Sequence, residues 1–229
     1  METMKTVHKY LAKKQAEFAQ HPFFERITEE RLLHELAPFA QRMTFWVQSF
    51  QDVLRLNVAR VINPELQKIV QCHLVEDRGH DDWFMSDLNV MNVEEPSIRL
   101  LYSNECRPIR DASYVFISEV FRACNDYDRI AFLLTLESTA QVFFERIADF
   151  SERAGYSSIL KYFSNHHLNA EKSHQSFDEQ NMEVYINSIH LDEDEITRIF
   201  EMIDRVYEAF TVMFDNFETT MERRAKLPA

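Results

Sequence analysis

Glycine occurs only twice in this chain of 229 residues, at 79 and 155, and proline only six times. Sheets and tight turns draw on residues that tolerate left-handed or fixed backbone, so a chain this poor in them is committed to long helices. Nineteen Phe and nine Met suit a bulky interior between such helices. Apolar residues recurring at three and four predict helices over about 4–20, 29–60 with a bend or break at Pro38, and 64–89 opening at Pro64. An irregular stretch over 91–109 follows, then helices over about 110–124, 127–154, 157–180 and 192–224. Asn125 and Asp126 cap the fifth helix and Gly155 ends it, Ser157 or Ser158 opens the sixth, and "LDEDE" opens the last. That last helix carries Ile196, Ile199, Ile203, Val206, Phe210, Phe214, Phe217 and Met221 on one stripe, and is expected to serve core packing alone. No repeat, low-complexity tract or flexible linker divides the chain, so residues 1–229 read as one all-α domain.

Charge narrows the partners. With 25 Lys and Arg against 38 Asp and Glu, the net charge is -13. Nucleic acid and anionic membrane surfaces both call for a basic face, and neither is expected as a partner. Cys72, Cys106 and Cys124 follow no spaced motif and read as reduced thiols. The start "METMKTVHKYLAKKQAEF" has no apolar core of a signal peptide, and no stretch approaches the ~20 apolar residues of a membrane span. The expected location is the cytoplasm.

Three helices carry charges on their own apolar stripes. In "VQCHLVEDRGHDDWF" the stripe from Leu66, Ile69 and Val70 continues through His73, Glu76 or Asp77, and His80 to Phe84 and Leu88. In "IAFLLTLESTAQVFF" Glu137 lies mid-helix on the line Ile130, Leu134, Gln141, Phe144, with nothing basic one turn away. In "SILKYFSNHHLNAEKSHQSF" His167, Glu171 and His174 share a face with Leu160, Phe163 and Phe177, while His166 points outward. Each feature alone reads as a polar helix contact, a structural carboxylate or a solvated face. Together they bring three carboxylates and three imidazoles to one bundle interior, where ionised carboxylates need cations. A pair of first-row metal ions, iron or manganese, meets that need.

The segments "HLVEDRGHDDWF", "LLTLESTAQVFF" and "HHLNAEKSHQSF", in this order, resemble the haem-oxygenase-like diiron oxidases and oxygenases, relatives of the TenA-type thiaminases. The likeness spans about residues 20–220, and "HPFF" at 21–24 resembles the start of the family's first core helix. It implies a haem-oxygenase-like (TenA-like) bundle of about seven helices. It also implies a metal set of Glu76, His80, Glu137, His167, Glu171 and His174, with Glu137 the central, bridging carboxylate and the catalytic one. Asp77 is the alternative to Glu76, and His73 joins the set or supports it. Glu171 departs from the Asp frequent at its place in the family. The implied cofactors are two Fe2+ ions, with manganese as a substitute, and O2 as co-substrate. A small-molecule substrate follows, and an external electron donor and a homodimer are compatible with it.

Rival readings share parts of this pattern. Haem binding through His8 or His21 would leave the interior carboxylates without counter-charge, and a thiaminase would need a nucleophile such as Cys72 at the pocket. A ferritin-like site would use "DRGH", "EKSH", Glu137 and Glu35 and leave out His167. An amino acid is the expected substrate, with conversion of a tryptophan-type molecule to a nitrile as one named outcome. Fatty-acid decarboxylation and N-oxygenation are the alternatives. "RMTFWVQSFQDVL" offers Phe45, Trp46 and Phe50 as an aromatic wall. Elsewhere in the chain, Arg78, Arg122 and Arg146 are the candidate partners of a substrate carboxylate. Metal storage without turnover and a non-enzymatic helical interaction protein remain as other classes.

Overall fold

A computed structural model describes residues 2–29, 33–173 and 179–225, with the backbone alone at 29, 170–173, 179–182 and 223–225. Eleven α-helices and one 3-10 turn, Leu33–Glu35, carry the described chain, and the strands among them are two residues long each. The helices are α1 Met4–Phe18, α2 Pro22–Glu29, α3 Ala37–Val58, α4 Pro64–Glu76, α5 His80–Val90, α6 Ile98–Leu101, α7 Arg107–Arg122, α8 Asp126–Arg153, α9 Asn165–Ser173, α10 Glu179–Ser188 and α11 Glu193–Ala225. Strand β1, Glu2–Thr3, pairs antiparallel with β2, His190–Leu191, so the start of α1 is tied to the entry of α11. The all-α expectation holds.

Local chemistry sets the helix ends. The Asn63 side chain accepts from the N–H groups of Glu65 and Leu66, and Pro64 follows as the first helical residue of α4. The Asn125 side chain accepts from Asp128 N–H at the start of α8. At the far end of α8, Gly155 has φ +78°, Tyr156 N–H donates to Ser151 O at 2.8 Å and Gly155 N–H to Glu152 O at 3.1 Å, a Schellman closure. Asp192 and Glu195 cap α11 reciprocally: Glu195 N–H donates to Asp192 Oδ1 at 2.7 Å, and Asp192 N–H to Glu195 Oε2 at 3.0 Å.

Three expected boundaries are corrected. "HPFF" opens a helix of its own, α2, because His21 accepts the Phe23 N–H through Nδ1 at 3.2 Å and so caps it. The continuous helix over 64–89 is two helices, broken at Asp77–Gly79, where Gly79 takes φ +89°. The sixth helix starts at Asn165, not at Ser157 or Ser158. Its opening N–H of His166 bonds to the Ser164 hydroxyl at 3.1 Å, and the residues before it give their N–H groups to the side chain of Asp87.

α11 packs along α7, α8 and α3, and α8 also meets α1, α2, α4 and α9. Between them lies a web of rings: Phe18, Phe23, Phe24, Phe39, Phe143, Phe214 and Phe217 meet mostly edge to face at 5–6.5 Å. All eight stripe residues of α11 except Ile196 are buried. No helix among the described residues is long and apolar enough to cross a membrane.

Candidate metal and ligand site

Helices α1, α3, α4, α5, α8, α9 and α11 enclose one cavity of about 440 Å³. That volume lies in the range of small-molecule sites. Its polar lining includes His73 and Glu76 from α4, Asp77 from the break, His80 and Asp81 from α5, Glu137 from α8 and His167 from α9. Its apolar lining includes Met43, Trp46, Val47 and Phe50 of α3 and Phe210, Met213, Phe214 and Phe217 of α11. The line Leu134, Glu137, Gln141 and Phe144 on α8 faces this space. α11 therefore walls the cavity as well as packing the core, which corrects its purely structural reading.

Glu137 has a partner that its own helix cannot supply. His73 Nε2 lies 2.8 Å from Glu137 Oε1, across the α4–α8 contact. Burial works against charge on His73, but the facing carboxylate of Glu137, with Asp77 and Glu76 further off, outweighs it and pushes its pKa from 6.5 up to about 9. Without metal, an internal imidazolium thus neutralises the central carboxylate.

His80 and His167 are each fixed by their Nδ1. His80 is 7% exposed, and its Nδ1 donates to Asp77 Oδ1 at 2.9 Å. Asp77 Oδ2 in turn accepts from Gln51 Nε2 of α3 at 2.5 Å. His167 is 2% exposed, and its Nδ1 lies 3.2 Å from the Tyr162 carbonyl. A carbonyl and a carboxylate accept only, so in both rings Nδ1 carries a proton and Nε2 is the nitrogen directed away from that bond. That is the arrangement of metal-binding histidines. The two ring centroids are 4.2 Å apart, and Phe144 and Tyr162 pack on His167 at 3.8 and 4.8 Å.

Asp87 holds these rings in register. It is fully buried on α5, one turn beyond Phe84, and accepts from Lys161 N–H at 2.9 Å and Phe163 N–H at 2.9 Å. Burial raises its pKa, and those backbone donors oppose the rise. The turn that launches α9, and so His167, hangs from the helix that carries His80. Sequence reading missed this role, although Asp87 falls three residues after Phe84 on the same stripe.

Glu76, His80, Glu137 and His167, with the alternates Asp77 and His73, meet at one cavity. Glu76 Oε1 accepts from the Cys72 thiol at 3.1 Å. Asp77 is bonded to His80 and Gln51 and orients the His80 ring. His174 and the side chain of Glu171 lie outside the described residues. Among the described residues no three His, Cys, Asp or Glu converge tightly enough to hold one ion. His166 is exposed, as expected, with Trp83 against its ring at 4.7 Å.

Several expected substrate contacts fall elsewhere. Trp46 and Phe50 line the cavity, but Phe45 packs instead on Tyr102 and Tyr114. Arg78 and Arg146 are exposed, and Arg122 pairs with Glu119 at 3.2 Å in a separate hollow, so none of the three lines the cavity. No described residue of its wall is Lys or Arg. Both nitrogens of His21 are engaged, by Phe23 N–H and by Asp215 Oδ1 at 3.2 Å, whereas His8 does line the cavity. Glu35 and Cys72 are not part of the wall. No protein-family model matches the chain, and no curated protein matches it.

Proposed function

We propose that this chain is an O2-dependent non-haem diiron oxidase or oxygenase of the haem-oxygenase-like fold, acting on a small molecule, most simply an amino acid. One observation carries the reading: carboxylates and Nδ1-tethered imidazoles from α4, α5, α8 and α9 share the wall of one cavity beside an aromatic pocket. The donor types fit two first-row ions. Glu76, His80, Glu137 and His167 would hold them together with Glu171 and His174. Two ferrous ions bound there would supply activation of O2 and the electrons that begin its reduction, with O2 as the oxidant of the substrate.

The chain's own residues supply position and exclusion. Asp77, held by Gln51, keeps the His80 ring turned with Nε2 outward from their hydrogen bond. Asp87 sets α9 against α5. Before metal enters, His73 guards Glu137 and keeps a carboxylate stable in a partly closed interior. A cation held by Glu137 would take the place of the His73 proton, and proton release would accompany its binding. Trp46, Phe50, Phe210 and Phe214 bound the substrate space and exclude water from it.

A second reading has that same ion pair in its favour: His73 already neutralises Glu137, so the polar cavity stands without metal. Metal analysis of protein from iron- and manganese-supplemented cells separates the two. About two ions per chain, lost in Glu137→Ala and His174→Ala, with O2 uptake triggered by one substrate class, supports the oxidase. Metal-free wild type, with both variants folded as wild type, leaves the structural reading.

A further inference from the structure

We propose that the organic ligand of this cavity is a protonated amine with an aromatic or bulky apolar body, and that Asp81 receives the ammonium. The proposal rests on taking this cavity as the ligand site of the oxidase reading.

The charges lead there. The six metal-set residues hold three carboxylates, and two divalent ions would outweigh these by one positive charge. Asp77 and Asp81 stand outside that set on the same wall, and no described wall residue is Lys or Arg. Asp77 is satisfied by His80 and Gln51. Asp81 has no hydrogen bond or ion pair among the described residues, yet it lines the cavity from the first turn of α5. A helix N-terminus tolerates the carboxylate there without cancelling its charge.

The apolar wall sets the rest of the ligand. Trp46 meets Phe50 at 4.9 Å and Phe210 at 5.6 Å, edge to face, and all three rings line the cavity. Such a surface takes an aromatic or branched body by stacking. A ligand whose only charge is a carboxylate finds no fixed cation on the described wall and would depend wholly on bound metal.

The test compares 2-phenylethylamine, 3-phenylpropanoate and neutral 3-phenylpropanamide, titrated by calorimetry into the full chain, once metal-loaded and once treated with chelator. The amine is expected to bind at least about tenfold tighter than both others in the two states, the worth of one charge-assisted hydrogen bond. Asp81→Asn should erase that preference, Asp81→Glu should retain it, and Asp82→Asn, at the exposed neighbour, should leave it unchanged. Equal or tighter binding of the carboxylate or amide overturns the proposal. So does an absence of amine binding, or a preference that survives Asp81→Asn in protein of unchanged helical content. If metal is absent but the amine preference persists, the oxidase reading fails alone; if metal binds without the preference, this proposal fails alone.

Discussion

At the residue scale the central fact is that His73 stands in for a cation. Its pKa is raised, so the proton stabilises the folded state fully below pH 6.5, and that contribution fades as pH climbs through about 9. Chelator-treated wild type should therefore lose stability between those limits, and His73→Gln should lack that part of the slope. Chemical denaturation at a series of pH values reads it; identical slopes would remove the imidazolium from the account. Asp87 gives a second expectation. Asp87→Ala strands the buried N–H groups of the 161–163 turn and should cost about 3 kcal/mol, with Asp87→Asn milder because one acceptor oxygen survives. A urea midpoint decides it, and a surface-like change in midpoint would mean that water takes the acceptor's place.

At the element scale, helix periodicity made the bundle legible, while the breaks were hidden. The stripe 66, 70, 73, 77, 80, 84 runs at helical spacing through the α4–α5 junction, so nothing in the apolar pattern announces a stop. Gly79 was the available signal, since a lone glycine within helical spacing either weakens the helix or ends it. A Cβ added there meets no atom within 4 Å, so the glycine serves its positive φ and not a close approach. Gly79→Ala should thus cost about 1–2 kcal/mol through left-handed backbone alone, as should Gly155→Ala. Only the former should also weaken ligand or metal binding, because His80 begins the helix that Gly79 starts. Thermal midpoints and binding curves on the pair distinguish a general backbone cost from a local one. The start of α9 was illegible for a different reason: its timing is set by a carboxylate some seventy residues away, and local propensity carries no trace of such a partner.

At the scale of the whole molecule, composition alone gave the fold class, because two glycines leave few alternatives to helix. The candidate site was legible in part, since Glu76, His80, Glu137 and His167 were found as polar residues on apolar stripes and do share a cavity. What could not be read was which acid already has a partner, for Glu137 finds His73 only once α4 and α8 pack together. The net charge of -13 sets a further expectation. Self-repulsion opposes compaction, and raising ionic strength from ~0.01 to ~0.15 M shortens its reach from about 30 to about 8 Å. The melting temperature should rise over that interval at pH 7. A fall would mean that specific ion pairs such as Arg26–Glu218 and Arg205–Glu119 outweigh the net charge.

The cavity wall draws on α1 and α11 as well as on the helices between them, and the two-residue strand pair fastens the first of these to the entry of the last. Partial opening at either end would therefore dismantle the binding space. Amide hydrogen exchange should then slow on ligand binding in α1 and α11 as much as around His80 and Glu137, and the protected amides would trace the bundle rather than the pocket.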